Sequence, residues 1–199
     1  MKFWKDKKFQ VRAAFVIFMY FVVILLNYLA SQYIKNTFVH PAIVKDLLWN
    51  NLPDLPILWI SEVVIAITII WMFVYAFKND KFYFPYIFYL WGIFQIIRAG
   101  LIVLTPLGFP NHYSGIVPVG DESVFAYGAF PSGHLAYPTL AYLLTKHWAF
   151  ILLSLIGGLA LLISRGHYSI DLVGTLLLGY FVYHVSEKYV KWWFIDEKA

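Results

Sequence analysis

An all-α integral membrane protein, a bundle of six transmembrane helices with both termini in the cytoplasm, is the fold this sequence predicts. Composition is the first reason: of 199 residues 61% are hydrophobic and only 13% charged, and the mean hydropathy is +0.70, well outside the range of soluble domains. The second is the length of the apolar runs, since a bilayer core about 30 Å thick needs roughly 20 apolar residues in a helix. The third is the placement of lysine and arginine, which gather on alternate loops.

The runs follow in order. The first covers about residues 13–34, the second about 57–77 and the third about 83–104. The fourth, fifth and sixth cover about 132–144, 149–163 and 170–189. The first is too long for a signal peptide and no small-residue cleavage site follows it, so it reads as a retained span. With the N-terminus inside, Lys2, Lys5, Lys7, Lys8, Arg12, Lys78, Lys81, Lys146, Lys188, Lys191 and Lys198 are cytoplasmic, whereas only Lys35, Lys45, Arg98 and Arg165 fall opposite. That asymmetry sets the orientation. Aromatic residues make up 21% of the chain and suit the headgroup level, where ring and polar tip are both accommodated.

No repeat, low-complexity tract or long linker divides the chain, so residues 1–199 read as a single transmembrane domain. There is no cysteine, which excludes disulfides, thiolate catalysis and thiolate metal sites. Two outer segments are longer than a turn requires. Residues 35–56 carry Ile43, Val44, Leu47 and Leu48 near helical spacing, the pattern of a short helix lying on the membrane surface. Residues 105–131 are rich in Gly, Pro and aromatics, as binding loops and lids are.

Three polar clusters sit where hydropathy places the outer boundary, and ionisable groups at such depth are functional candidates. One is Arg98 with the following Thr105-Pro106-Leu107-Gly108; the second is Pro131-Ser132-Gly133-His134; the third runs from Ser164 through Arg165, Gly166, His167, Tyr168, Ser169 and Ile170 to Asp171. His167 and Asp171, four apart, share one face of a helix. A carboxylate on one ring nitrogen fixes the tautomer and supports the charge that develops when the other attacks, so His167 fits a nucleophile toward phosphorus. Ser132 suits a helix N-cap, Gly133 lets backbone approach a ligand, and the amides behind them favour an anion. His134 in that first turn fits a general acid for the leaving alkoxide. Arg98 and Arg165 would bind the equatorial phosphate oxygens. The scheme needs neither metal nor other cofactor.

Chance produces Pro-Ser-Gly-His in on the order of one chain in a thousand of this length at average residue usage, which separates His134 from isolated histidines. His40, His112, His147 and His184 read as structural or interfacial, Glu62 as a boundary residue or helix partner, and Asp121 and Glu122 as solvated loop charges.

Together these residues resemble the type 2 phosphatidic acid phosphatase superfamily, through Pro131-Ser132-Gly133-His134 and the later Ser164-Arg165, His167 and Asp171, over about residues 98–171. The resemblance implies a six-helix membrane bundle with its site at the outer face, a phosphohistidine on His167, acid catalysis by His134 and orientation of the nucleophile by Asp171. It also departs from the family pattern: Ala99, not proline, follows Arg98, no lysine precedes it in the helix, and only Gly166 separates Arg165 from His167. The run from His167 to Asp171 looks more like the sphingomyelin synthase branch, whose members pass a phospho-headgroup to a lipid hydroxyl.

The leading expectation is a lipid phosphatase that hydrolyses a phosphate monoester of a phospholipid or polyprenyl phosphate at the non-cytoplasmic face of an inner or plasma membrane, with the bilayer and its lipids, not nucleic acid, as partners. The alternative is a headgroup phosphotransferase or phospholipase C-type diesterase, in which Tyr113, Phe125 and Tyr127 with Asp121 and Glu122 would hold a choline-like cation. A third expectation is a non-catalytic lipid binder or transporter; the inverted repeats and broken helices of many transporters are not visible in the sequence.

Overall fold

A computed structural model describes residues 6–38, 43–107 and 130–195. Its regular elements are helices: α1 (Lys7–Thr37), α2 (Trp59–Lys78), α3 (Tyr83–Leu104), α4 (Gly133–Thr145), α5 (Ala149–Ile163), α6 (Ser169–Tyr189) and the single turn α7 (Lys191–Phe194). Four of them, α1, α2, α3 and α6, are long and apolar enough to cross a membrane. With their outward greasy faces they mark a membrane protein: only 28% of the most apolar stretch of α1, and of α2, is buried inside the protein. Phe18, Phe21, Ile70 and Leu177 stand exposed along these helices, a cost in water that hydrocarbon removes.

Local chemistry sets the ends. Asp6 caps α1 by accepting from the amides of Lys8 and Phe9 at 3.0 and 3.4 Å, so the helix begins among the lysines, ahead of its apolar run, and reaches 31 residues. Ser132 caps α4. At 1.5 Å per residue α4 and α5 are about 20 and 22 Å long, and α4 contains Pro138. α5 is apolar throughout but shorter than the four long helices.

α1 packs along α3, α2 against α4 and α5, and α4 also against α5 and α6. Phe9, Met72, Tyr86, Leu90, Phe94, Leu140, Phe150 and Phe194 form the main core. Basic residues close one end: Lys81 pairs with Asp6 at 2.6 Å, Lys191 with Glu187 at 2.8 Å, and Lys146 lies over the Tyr183 ring. The starts of α2, α4 and α6 meet the ends of α1, α3 and α5 at the other end.

The segment between α1 and α2 is not the surface helix its apolar spacing predicts. Residues 43–48 are irregular, followed by one 3-10 turn, Trp49–Asn51. Asp46 accepts from the Leu48 amide at 2.9 Å, a local bond that competes with helix, and Pro53 and Pro56 prevent continuation. Leu47 is 77% exposed whereas Asp46 is 7% exposed: the carboxylate faces inward.

Candidate active site

The third cluster begins where α5 stops. Arg165 takes a left-handed φ of 57°, a conformation that usually ends helices at glycine and reverses the chain within one turn. The amides of Gly166 and His167 then donate to the Leu161 carbonyl at 2.9 and 3.3 Å. Gly166 is closely packed: a β-carbon there would lie 2.7 Å from Leu58 Cδ1 and would force that side chain to move. α6 starts at Ser169, which leaves His167 just before the helix and Asp171 in its first turn.

The two side chains meet. His167 Nδ1 lies 3.0 Å from Asp171 Oδ2, and both residues are buried. A carboxylate only accepts, so this contact favours the proton on Nδ1, which in a neutral ring leaves the lone pair on Nε2. The same Oδ2 also accepts from the Tyr168 amide at 2.9 Å, fixing the carboxylate from the helix start.

α4 is fastened beside this pair. Ser132 Oγ accepts from the Leu135 amide at 3.4 Å, and the Ser132 amide donates to the Asp171 carbonyl at 3.3 Å. The Thr175 hydroxyl lies 2.9 Å from the Ser132 carbonyl and 2.7 Å from that of Asp171, bridging the two helix starts. His134, in the first turn of α4, consequently faces His167 with ring centroids 5.8 Å apart and planes at 67°.

Arg98 enters from α3. Its Nε donates to the Pro131 carbonyl at 2.8 Å and its Nη1 to Asn27 Oδ1 at 3.0 Å. A β-carbon on Gly133 would lie 3.5 Å from Arg98 Nε and 3.3 Å from Gln95 Nε2, so the start of α4 stands close against the guanidinium. Positive charge, helix-terminal amides and two imidazoles thus converge, a combination suited to a phosphate.

Neither a family model, nor a curated protein, nor a solved structure matches this chain. The chemical reading of the cluster therefore rests on its own geometry.

Arg165, assigned to the phosphate by the sequence, makes its hydrogen bonds to the segment between α1 and α2. Its Nη2 donates to the Trp49 and Leu52 carbonyls at 2.6 and 3.2 Å, and its guanidinium lies 5.3 Å from the centre of the Trp49 ring. The left-handed turn sends the side chain toward the segment between α1 and α2. Tyr113, Asp121, Glu122, Phe125 and Tyr127, the expected headgroup residues, lie outside the described residues, as do Gly108, His40 and His112.

Sequence reasoning missed Asn27 and Gln95. Asn27 donates to the Val23 and Gln95 carbonyls at 2.9 and 3.2 Å while accepting from Arg98, tying α1 to α3 at the guanidinium. Their signal was present: each is an uncharged amide inside an apolar helix, where such side chains join neighbouring helices. Asp46, also unassigned, belongs to the far side of the His167 turn.

Proposed function

We propose that the protein is a membrane enzyme that hydrolyses a lipid phosphate monoester through a phosphohistidine on His167. The observation that carries this reading is the buried His167–Asp171 pair facing His134 across 5.8 Å at the start of α4, beside Arg98. In the first step His167 Nε2 forms a bond to phosphorus as the phosphorus–alkoxide bond breaks, and His134 in its protonated form gives the leaving oxygen its proton. Asp171 stabilises the developing imidazolium. Arg98 and the α4 amides stabilise the oxygens of five-coordinate phosphorus. In the second step His134, now neutral, takes a proton from water as the oxygen attacks phosphorus and the nitrogen–phosphorus bond breaks, releasing inorganic phosphate.

The same proposal takes the chain as one domain of six crossings, with both termini cytoplasmic and the His167 end outward. The short α4 and α5 cross a locally thinned bilayer. The lysines at the end opposite His167 support that orientation.

One observation favours diester chemistry as a second reading. A phosphomonoester carries roughly −1.5 to −2 charges at neutral pH, a diester one, and Arg165 turns one of its nitrogens, Nη2, to the Trp49 and Leu52 carbonyls. Turnover by detergent-solubilised protein decides: radiolabelled phosphatidate is compared with phosphatidylcholine plus a diacylglycerol or ceramide acceptor. Phosphate released from phosphatidate, and lost in His167→Ala, is the expected result. Headgroup transfer or phosphocholine release with phosphatidate untouched gives the second reading, and equal turnover by His167→Ala overturns both.

A further inference from the structure

The stretch from Ile163 to Ser169, which holds His167 at its middle, is gripped by a segment more than a hundred residues earlier. The Leu55 amide donates to the Ile163 carbonyl at 3.2 Å. Arg165 reaches the carbonyls of Trp49 and Leu52, and Leu58 fills the space over Gly166. The Trp49 ring stacks on Tyr168 with centroids 4.7 Å apart and planes at 25°, and the Val44 amide donates to the Tyr168 hydroxyl at 3.4 Å. A further short contact is at the helix start, where the Ser169 amide donates to Asp46 Oδ2 at 2.6 Å.

That last bond has a specific chemical meaning. The first amides of a helix have no partner within it, and a negative charge there is favoured by the helix dipole. Two carboxylates share the start of α6: Asp171 takes the Tyr168 amide and Asp46 the next one. Asp171 Oδ2 serves His167 and Tyr168 together, so any rotation of this first turn shifts the carboxylate relative to the imidazole. Asp46 opposes that rotation. Its own aim is fixed by the Leu48 amide, and it is buried although its neighbours Lys45 and Leu47 are exposed.

We propose that Asp46 is a positioning residue for the His167–Asp171 pair, acting through the Ser169 amide to hold the first turn of α6 in the geometry that aims His167 Nε2. This rests on the reading of His167 as nucleophile. Asp46 itself touches neither substrate nor reacting atoms, and the segment that carries it is a brace for the nucleophile's turn.

Full-length Asp46→Ala and Asp46→Asn in detergent test the assignment by phosphatidate kinetics, hydrogen–deuterium exchange of the peptide covering 164–172, and thermal melting. Asp46→Ala should lower kcat about ten- to a hundredfold per folded molecule, leave KM within about twofold, and speed exchange at Tyr168 and Ser169. Asp46→Asn keeps one oxygen acceptor, which serves the Ser169 amide at the expense of the Leu48 amide, and should recover part of both losses. Unchanged exchange at these amides, or a fall in activity matched entirely by the fraction unfolded, overturns the assignment. Exchange needs no turnover: if the native protein leaves both phosphatidate and phosphatidylcholine untouched, the proposed function fails, while faster exchange in Asp46→Ala still supports the brace and unchanged exchange removes it. If Asp46→Ala does not fold, Asp46→Asn carries the same comparison, since the neutral acceptor weakens the bond without opening a cavity.

Discussion

Asn27, in the apolar middle of α1, accepts a hydrogen bond from Arg98 of α3 at 3.0 Å. Arg98 in turn holds the Pro131 carbonyl just ahead of α4, so one amide side chain fixes the guanidinium at the proposed phosphate site from outside it. Asn27→Leu keeps the size and removes the acceptor. It should destabilise the protein by about 1–2 kcal/mol and lower turnover, read as a fall in detergent melting temperature together with a lower kcat.

Asp171→Asn preserves shape but changes what the carboxylate imposes on His167. An amide can donate as well as accept, so Nδ1–H is no longer enforced and Nε2 loses its guaranteed lone pair. Turnover should fall about 10³- to 10⁴-fold while the protein remains folded. Phosphoenzyme labelling, acid-labile and alkali-stable, should fall in parallel.

The two arginines should separate in kinetics. Arg98→Ala removes charge beside Gly133 and should raise KM and depress kcat with any phosphate ester. Arg165→Ala removes the tie to Trp49 and Leu52 and should lower the melting temperature with a smaller effect on KM. Equal KM increases in both would place Arg165 at the phosphate after all.

Acid should loosen the brace. Burial alone would raise the pKa of Asp46, but hydrogen bonds from Ser169 and from the Leu48 and Trp49 amides outweigh it and hold the carboxyl below its ordinary value. A carboxyl with a depressed folded pKa adds stability that is present above its unfolded pKa, about 3.9, and is lost as pH falls through the folded value. The melting-temperature gap between native protein and Asp46→Asn should therefore be full near neutrality and narrow below about pH 4. A constant gap would contradict that sign.

What could be read from the sequence was what is local. Apolar runs located the helices because hydrophobic length is a continuous signal, and the four-residue spacing of His167 and Asp171 announced a contact that one turn of chain delivers. α1 started earlier than its apolar run because Asp6 caps it among lysines, chemistry that hydropathy averages out. The bonds from Asn27 to Arg98 and from Asp46 to Ser169 join residues 71 and 123 apart, and no local pattern encodes such partners. Apolar spacing misled at Ile43 to Leu48, because one inward-facing Asp46 outweighed it. The partners of Arg165 were not legible for a related reason: its residue type fits phosphate, but its left-handed backbone sends Nη2 to the Trp49 and Leu52 carbonyls.

The Thr175 hydroxyl, lying between the carbonyls of Ser132 and Asp171, makes the starts of α4 and α6 a single mechanical unit. A membrane that thickens or thins tilts its long helices, whereas the two helix starts are hydrogen-bonded to each other. The spacing of the two imidazoles belongs instead to the bonded pair of helix starts, so it is set by protein hydrogen bonds and not by lipid.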